Sequence, residues 1–214
     1  MSVGRTRALG LCLPIIVGLL GVAAPAAAAP SLGDAVSLYR QQRFAEARTL
    51  LETLAASQPA NAEASYYLGM ALLREGGPSS LDLARSWLGK AVKLSPSNEN
   101  YLSQYAGVCL LAADRDNSFS LALEGREAMV RAIAQDPGDL EAREGLMRFY
   151  AKAPWPLGDP AKALAQAADI AKADPRRGAA AYRSLAEAFQ RAGLGGQAQL
   201  AAETAQSLAP GRPQ

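Results

Sequence analysis

The chain has 214 residues, enough for one or two domains; 50% are hydrophobic and only 6% aromatic. Ala and Leu supply most of the apolar surface and both favour helices, while the Val, Ile and Thr runs that mark strands are absent. There is no histidine and the formal net charge is +2, which excludes His-based triads and imidazole metal sites and leaves no electrostatic footprint for nucleic acid.

Arg5 and Arg7 form a short basic region, an apolar stretch runs from Ala8 to Ala23, and the small residues Ala26 to Ala29 end at Pro30. That order is the layout of a secretory signal peptide over residues 1–29, cleaved after Ala28 or Ala29. The apolar stretch falls short of the ~20 residues that span a bilayer, and Gly18, Gly21 and Pro25 interrupt it, so no stable membrane insertion is expected after cleavage. Cys12 follows Leu11 inside the apolar core rather than a small residue after it, so lipidation is not expected. Loss of Arg5 and Arg7 lowers the basic residues from 22 to 20, against 20 acidic ones, and the mature chain is formally neutral. Cys109 is then its single cysteine, which rules out an internal disulfide framework.

Beyond the leader, periodicity dominates. Pro59, Pro96, Pro137, Pro175 and Pro210 recur at spacings of 37, 41, 38 and 35, each placed to end a helical stretch. Twelve residues before each proline stands a small residue, namely Ala47, Ala84, Gly125, Ala163 and Ala198, where two antiparallel helices can approach closely. Helices are predicted over about 31–42, 44–57, 61–75, 80–94, 98–113, 118–135, 139–152, 160–173, 178–192 and 195–208. Extra residues fall between the two helices of a unit, at Gly76-Gly77-Pro78-Ser79, at Asp114 to Ser118, and at Pro154 to Asp159. Asp159-Pro160 is an N-cap followed by Pro at the first helical position, and Ser31 with Asp34 and Ser79 with Asp82 match the capping box with Asp in place of Glu.

These units resemble the tetratricopeptide repeat, whose period is 34 residues with a Leu-Gly-x-x-Tyr, Ala and Pro pattern. The last unit, Ala179 to Pro210, carries Leu185-Ala186 and Phe189, Gly193 at the turn, then Ala198, Ala202 and Ala205. The second carries Leu68-Gly69, Leu72, Ala84, Leu88, Ala91 and Pro96. The resemblance implies an all-α solenoid of five helix pairs over residues 30–210, a short right-handed superhelix, followed by a disordered tail at 211–214. Phe149 to Pro154, Gly158 and Ala161-Lys162-Ala163 also resemble a stretch of exported bacterial repeat proteins.

No Gly-x-Ser-x-Gly, P-loop or dinucleotide fingerprint is present, and Ala192 to Gly196 is a glycine-rich turn with no strand before it. No catalytic residue, cofactor or metal is expected. Cys109 falls at a core position, where a thiol packs as a small apolar group. Trp87 is expected to pack between second helices. Trp155, between two prolines, either folds over the end of its helix pair or serves as a partner's anchor.

In the repeat resembled, first helices line a concave groove. Mapped onto this chain, its N-terminal half presents Tyr39, Tyr66, Met70, Leu73 and Leu110. The C-terminal half presents Glu144, Arg148, Lys152, Arg183, Glu187, Gln190 and Arg191, with Arg40 and Arg74 on the other half's edge. A clamp for an acidic carboxyl terminus is absent from the first two units, because its positions hold Leu32, Val36, Tyr66 and Met70. The expected function is a non-catalytic periplasmic or secreted scaffold that holds a peptide or helix of a cell-envelope protein. The alternative is an accessory subunit of a periplasmic solute-transport system.

Overall fold

The structure, a computed structural model, describes residues 31–154 and 156–208. The expected leader, Trp155 and the expected tail lie outside the described residues. Ten α-helices and no strand occur among the described residues. They are α1 (Leu32–Arg40), α2 (Phe44–Ser57), α3 (Ala62–Glu75), α4 (Ser80–Leu94) and α5 (Glu99–Asp116), then α6 (Phe119–Gln135), α7 (Leu140–Lys152), α8 (Pro160–Ala173), α9 (Pro175–Arg191) and α10 (Gly195–Leu208). Each odd-numbered helix packs against the even one that follows, and each even one against the next pair, so the described residues form an all-α solenoid of five helix pairs.

Local chemistry sets most of the helix starts. Ser31 accepts from the Asp34 amide while the Asp34 carboxylate accepts from Ser31, completing the expected capping box. Asn61, Asn98, Ser118, Asp139 and Asp159 each accept a backbone N–H of the first turn behind them. Ser79 does not: its side chain caps nothing, and its expected partner Asp82 instead accepts from Arg115 at 2.8 Å.

Two boundaries differ from the sequence expectation. Helix α5 continues to Asp116, absorbing much of the inserted stretch as helix rather than loop. It stops only at Asn117, whose φ of 49° is a left-handed conformation that Asn tolerates better than most residues. The Arg115–Asp82 pair fastens this extension to α4 of the preceding unit. Pro175 was expected to close a helix, yet it opens α9. Asp174 caps both helices: its own N–H donates to Ile170, and its carboxylate accepts from Arg176 and Arg177. Proline fits there because the first helical N–H needs no partner. A corner of one residue presses the first turn of α9 onto α8, and only glycine fits. A Cβ on Gly178 would lie 2.4 Å from the Ala171 Cα.

The small residues within the helix pairs act as their spacing implied. Ala47, Ala84 and Ala163 are fully buried, and Ala198 nearly so. A Cβ on Gly125 would lie 2.9 Å from a Leu110 methyl and 3.1 Å from the Ala106 carbonyl oxygen. The core runs along the solenoid in relays. Leu51, Leu54, Leu68 and Leu72 fill its start, and Leu102, Ala106, Met129 and Leu146 its middle. Ile170, Leu185, Phe189 and Ala201 fill its end. No unit buries its apolar face without a neighbour.

Candidate functional site: the inner face of the first helices

Successive first helices touch at α1–α3, α5–α7 and α7–α9, whereas among the second helices only α8 and α10 come into comparable contact. The first helices therefore form the inner, tighter side of the curve.

The N-terminal half of that face is filled by its own aromatics. Tyr39 meets Phe44 and Tyr67 at ring-centroid distances of 5.4 Å, Tyr66 meets Tyr67 at 5.2 Å, and Tyr66 stacks on Tyr101 at 4.7 Å. The Tyr66 hydroxyl donates to Asn100 at 3.3 Å, and burial pushes its pKa up to about 12. Tyr66 and Met70 are buried in a cluster with Leu88, Ala91 and Val108, with Tyr39 and Leu73 packed half-buried against it. Tyr39, Tyr66, Met70 and Leu73 thus meet as packing between α1, α3, α4 and α5 rather than as an open apolar groove. Leu110 departs further, since it turns into the α5–α6 interface against Gly125. What stays open near this end is a concavity of about 380 Å³ between α1 and α3, lined by Val36, Arg40 and Glu63 among others.

Polar links one repeat apart tie the first helices together. Gln104 of α5 donates to Glu141 of α7 at 3.1 Å, and Arg177 of α9 donates to Glu144 of α7 at 2.9 Å. With Tyr66–Asn100 they form a series that sequence reasoning missed. Its signal was there: compatible polar residues separated by 34, 37 and 33 positions, close to the repeat length.

Past the Glu144–Arg177 link, α7 and α9 separate. Arg148, Lys152 and Arg191 line a cleft of about 180 Å³ with Met147, Ala151, Ser184, Leu185 and Ala188. Met147 and Leu185 are buried and form a dry floor, while all three cations are exposed. Arg191 reaches Glu187 at 3.6 Å, a pair that is 73% exposed on both sides and therefore weak. Among the described residues Arg148 and Lys152 have no carboxylate within salt-bridge distance. Arg183 and Gln190 are exposed on α9 and do not line the cleft. Every first helix carries a basic residue in its last turn, Arg40, Arg74, Arg115, Lys152 and Arg191, where it faces the negative end of the helix dipole. Arg148, one turn earlier, is outside that series.

Cys109 is buried as expected, and burial pushes its thiol up to about 11. Tyr105 beside it donates to Glu124 of α6 and packs over Gly89 of α4, tying three helices. Trp87 packs half-buried against the core of α1 to α4, with the Lys90 ammonium 4.9 Å from its ring centre.

A family model of the tetratricopeptide repeat matches residues 32–99. Among solved structures, the crystal structure of MamA is similar at 20% identity, covering 83% of this chain and 94% of that one, with a TM-score of 0.66. YrrB, described as a tetratricopeptide-repeat protein with an unusual peptide-binding site, is similar at 17% identity, covering 83% and 84%, with a TM-score of 0.67. No curated protein sequence matches the chain. Residues 32–99 thus match the tetratricopeptide repeat in sequence, and the helix pairs share the fold of such repeat proteins.

Proposed function

We infer that this protein is a non-catalytic interaction scaffold, exported to the periplasm or secreted, which holds a protein partner of the cell envelope along the inner face of its first helices. The observation that carries the reading is the cleft between α7 and α9 beyond the Glu144–Arg177 link, where cations stand over an apolar floor. Its compartment rests on the order of basic, apolar and small residues before Pro30. The peptide-binding site named for YrrB supports the same use of the fold. No helix among the described residues is long and apolar enough to cross a membrane. The alternative of a small-molecule accessory is less favoured, because the two concavities described open to solvent rather than forming enclosed apolar pockets.

Photo-crosslinking in the native host tests the docking face. A benzoylphenylalanine at Ser184 or Arg40 should yield a discrete adduct, and one at the exposed Gln199 of the second helix α10 should not. Adducts from Gln199 alone would refute the inner face as the docking surface. N-terminal sequencing of the shock-released protein tests export, with a start at Ala29 or Pro30 expected. An intact Met1 start in the membrane pellet would contradict it.

A further inference from the structure

We propose that the cleft between α7 and α9 is a receptor for carboxylates, and that the segment it holds is an acidic peptide stretch of the protein partner. The proposal rests on the scaffold function above and names the chemistry of its occupant.

The cleft follows from where the helices end. Ala153 precedes Pro154 and takes an extended ψ of 142°, which stops α7 at Lys152. Helix α9 runs farther past the Glu144–Arg177 link than α7 does, so the last turn of α9 has no first-helix neighbour to cover it. At α3–α5 and α5–α7 the inner face is closed by Tyr66–Tyr101 stacking and by Gln104–Glu141. At α7–α9 the closure covers only one end.

Charge complementarity selects the occupant. Glu144, the acidic residue one turn before Arg148, is already engaged by Arg177, so it does not neutralise the cleft. The Lys152 and Arg191 charges face their own helix dipoles, but Arg148 lies farther inside and faces the seam. Arg148 and Lys152 stand one turn apart on α7, which sets two donors along one side of the cleft. A volume of about 180 Å³ admits one side chain at a time over Met147 and Leu185. Successive carboxylates of an extended chain match that arrangement, because a guanidinium presents a fork that fits a carboxylate.

The test uses the mature chain and a fluorescein-labelled Gly-Ser peptide carrying a run of glutamates, beside the same peptide with glutamines. The glutamate peptide should bind and the glutamine peptide should not. Arg148→Glu with Lys152→Glu should weaken binding by about tenfold or more, most strongly at low salt. Lys93→Glu, exposed on α4, should leave it unchanged. If the double reversal melts early, Arg148→Gln with Lys152→Gln should still weaken binding in a folded protein. Equal binding of the glutamine peptide, or glutamate binding that survives both double variants, overturns the proposal. Inorganic phosphate competing as well as unlabelled glutamate peptide would also overturn it, marking a general anion site. A partner that still crosslinks at Ser184 in the double variant sinks this assignment and leaves the scaffold function standing. Peptide binding without any inner-face adduct does the reverse.

Discussion

Gly178 offers the sharpest test of how α9 sits on α8. An alanine Cβ there would lie 2.4 Å from both the Cα and the Cβ of Ala171 and 3.0 Å from its nitrogen. Carbon atoms pack best at about 3.5–4.0 Å, so the two helices would have to part by roughly 1 Å. The obstacle is backbone, which cannot swing aside. Overpacking of this kind costs about 1–3 kcal/mol, while replacing Gly by Ala inside a helix returns about 1 kcal/mol. Because the obstacle is backbone, the cost should fall in the upper part of that range, about 2–3 kcal/mol, so the net expectation for Gly178→Ala is a loss of about 1–2 kcal/mol, or roughly 2–8 °C in Tm for a domain of this size. Hydrogen exchange should show the loosening in α8 to α10 and spare α1 to α4, because solenoid units feel only their neighbours. Gly107 supplies the opposite sign within the same chain. A Cβ there would meet no heavy atom within 4 Å, so Gly107→Ala should gain about 0.5–1 kcal/mol. A Gly178→Ala protein as stable as the parent, with α9 equally protected, would refute the close α8–α9 corner.

Three further outcomes are expected. Arg143, 14% exposed at its side chain, donates to the Pro137 carbonyl and to Gln166 and Asp169 of α8. A lysine cannot fork in that way, so Arg143→Lys should cost about 1–2 kcal/mol in a urea melt; no change would show the clamp to be idle. Burial raises the Cys109 thiol from 9.0 to about 11, so the folded chain holds that proton more tightly than the unfolded one. The resulting stability is complete below the unfolded value and is lost as pH rises through about 11, and Tyr66, pushed up to about 12, acts in the same direction. The urea midpoint should therefore fall across that alkaline window, and a midpoint flat over it would contradict the burial. Ala198→Leu should overpack the α9–α10 interface at Phe189 and Leu185 by about 1–3 kcal/mol. Loosening of α1 to α3 equal to that of α9 would contradict a chain of local contacts.

The repeat was legible because its signals are local and periodic. Proline spacing, the small residues twelve positions earlier and the caps at Ser31 and Asp159 each follow from one element's own chemistry. The misreadings arose where a residue serves two elements. Asp174 caps α8 and α9 together, so Pro175 reads as an ending in sequence and acts as a beginning in space. Ser79 and Asp82 have cap spacing, but Arg115, a repeat away, claims the carboxylate. Tyr66 and Met70 occupy inner-face positions of the repeat. Whether such a position stays open depends on the next unit, and here Tyr101 and Val108 close over it. Arg148 and Lys152 are legible as charges, but whether Glu144 neutralises Arg148 one turn on depends on Arg177, a repeat away, which claims that carboxylate.

Closure of the aromatic half changes what binding can look like. On the proposed reading, a partner that cannot seat an apolar anchor between Tyr66 and Met70 draws on the α7–α9 cleft, where the cations are exposed. Exposed ion pairs contribute about 0–1 kcal/mol each. Burying one side-chain stem against Met147 and Leu185 adds about 1.5–3 kcal/mol at most. Those terms must also offset the ordering of an extended chain. With three cations those terms reach at most about 6 kcal/mol, so nanomolar and micromolar affinity, about −12 and −8 kcal/mol, lie out of reach, whereas the millimolar range, about −4 kcal/mol, does not. The contact should therefore be weak, fast and salt-sensitive, with association slowing as ionic strength rises. Stopped-flow anisotropy with the glutamate peptide at two salt concentrations measures this directly. A nanomolar, salt-insensitive complex would mean that the main contact lies elsewhere on the solenoid, with charge at α7–α9 incidental to it.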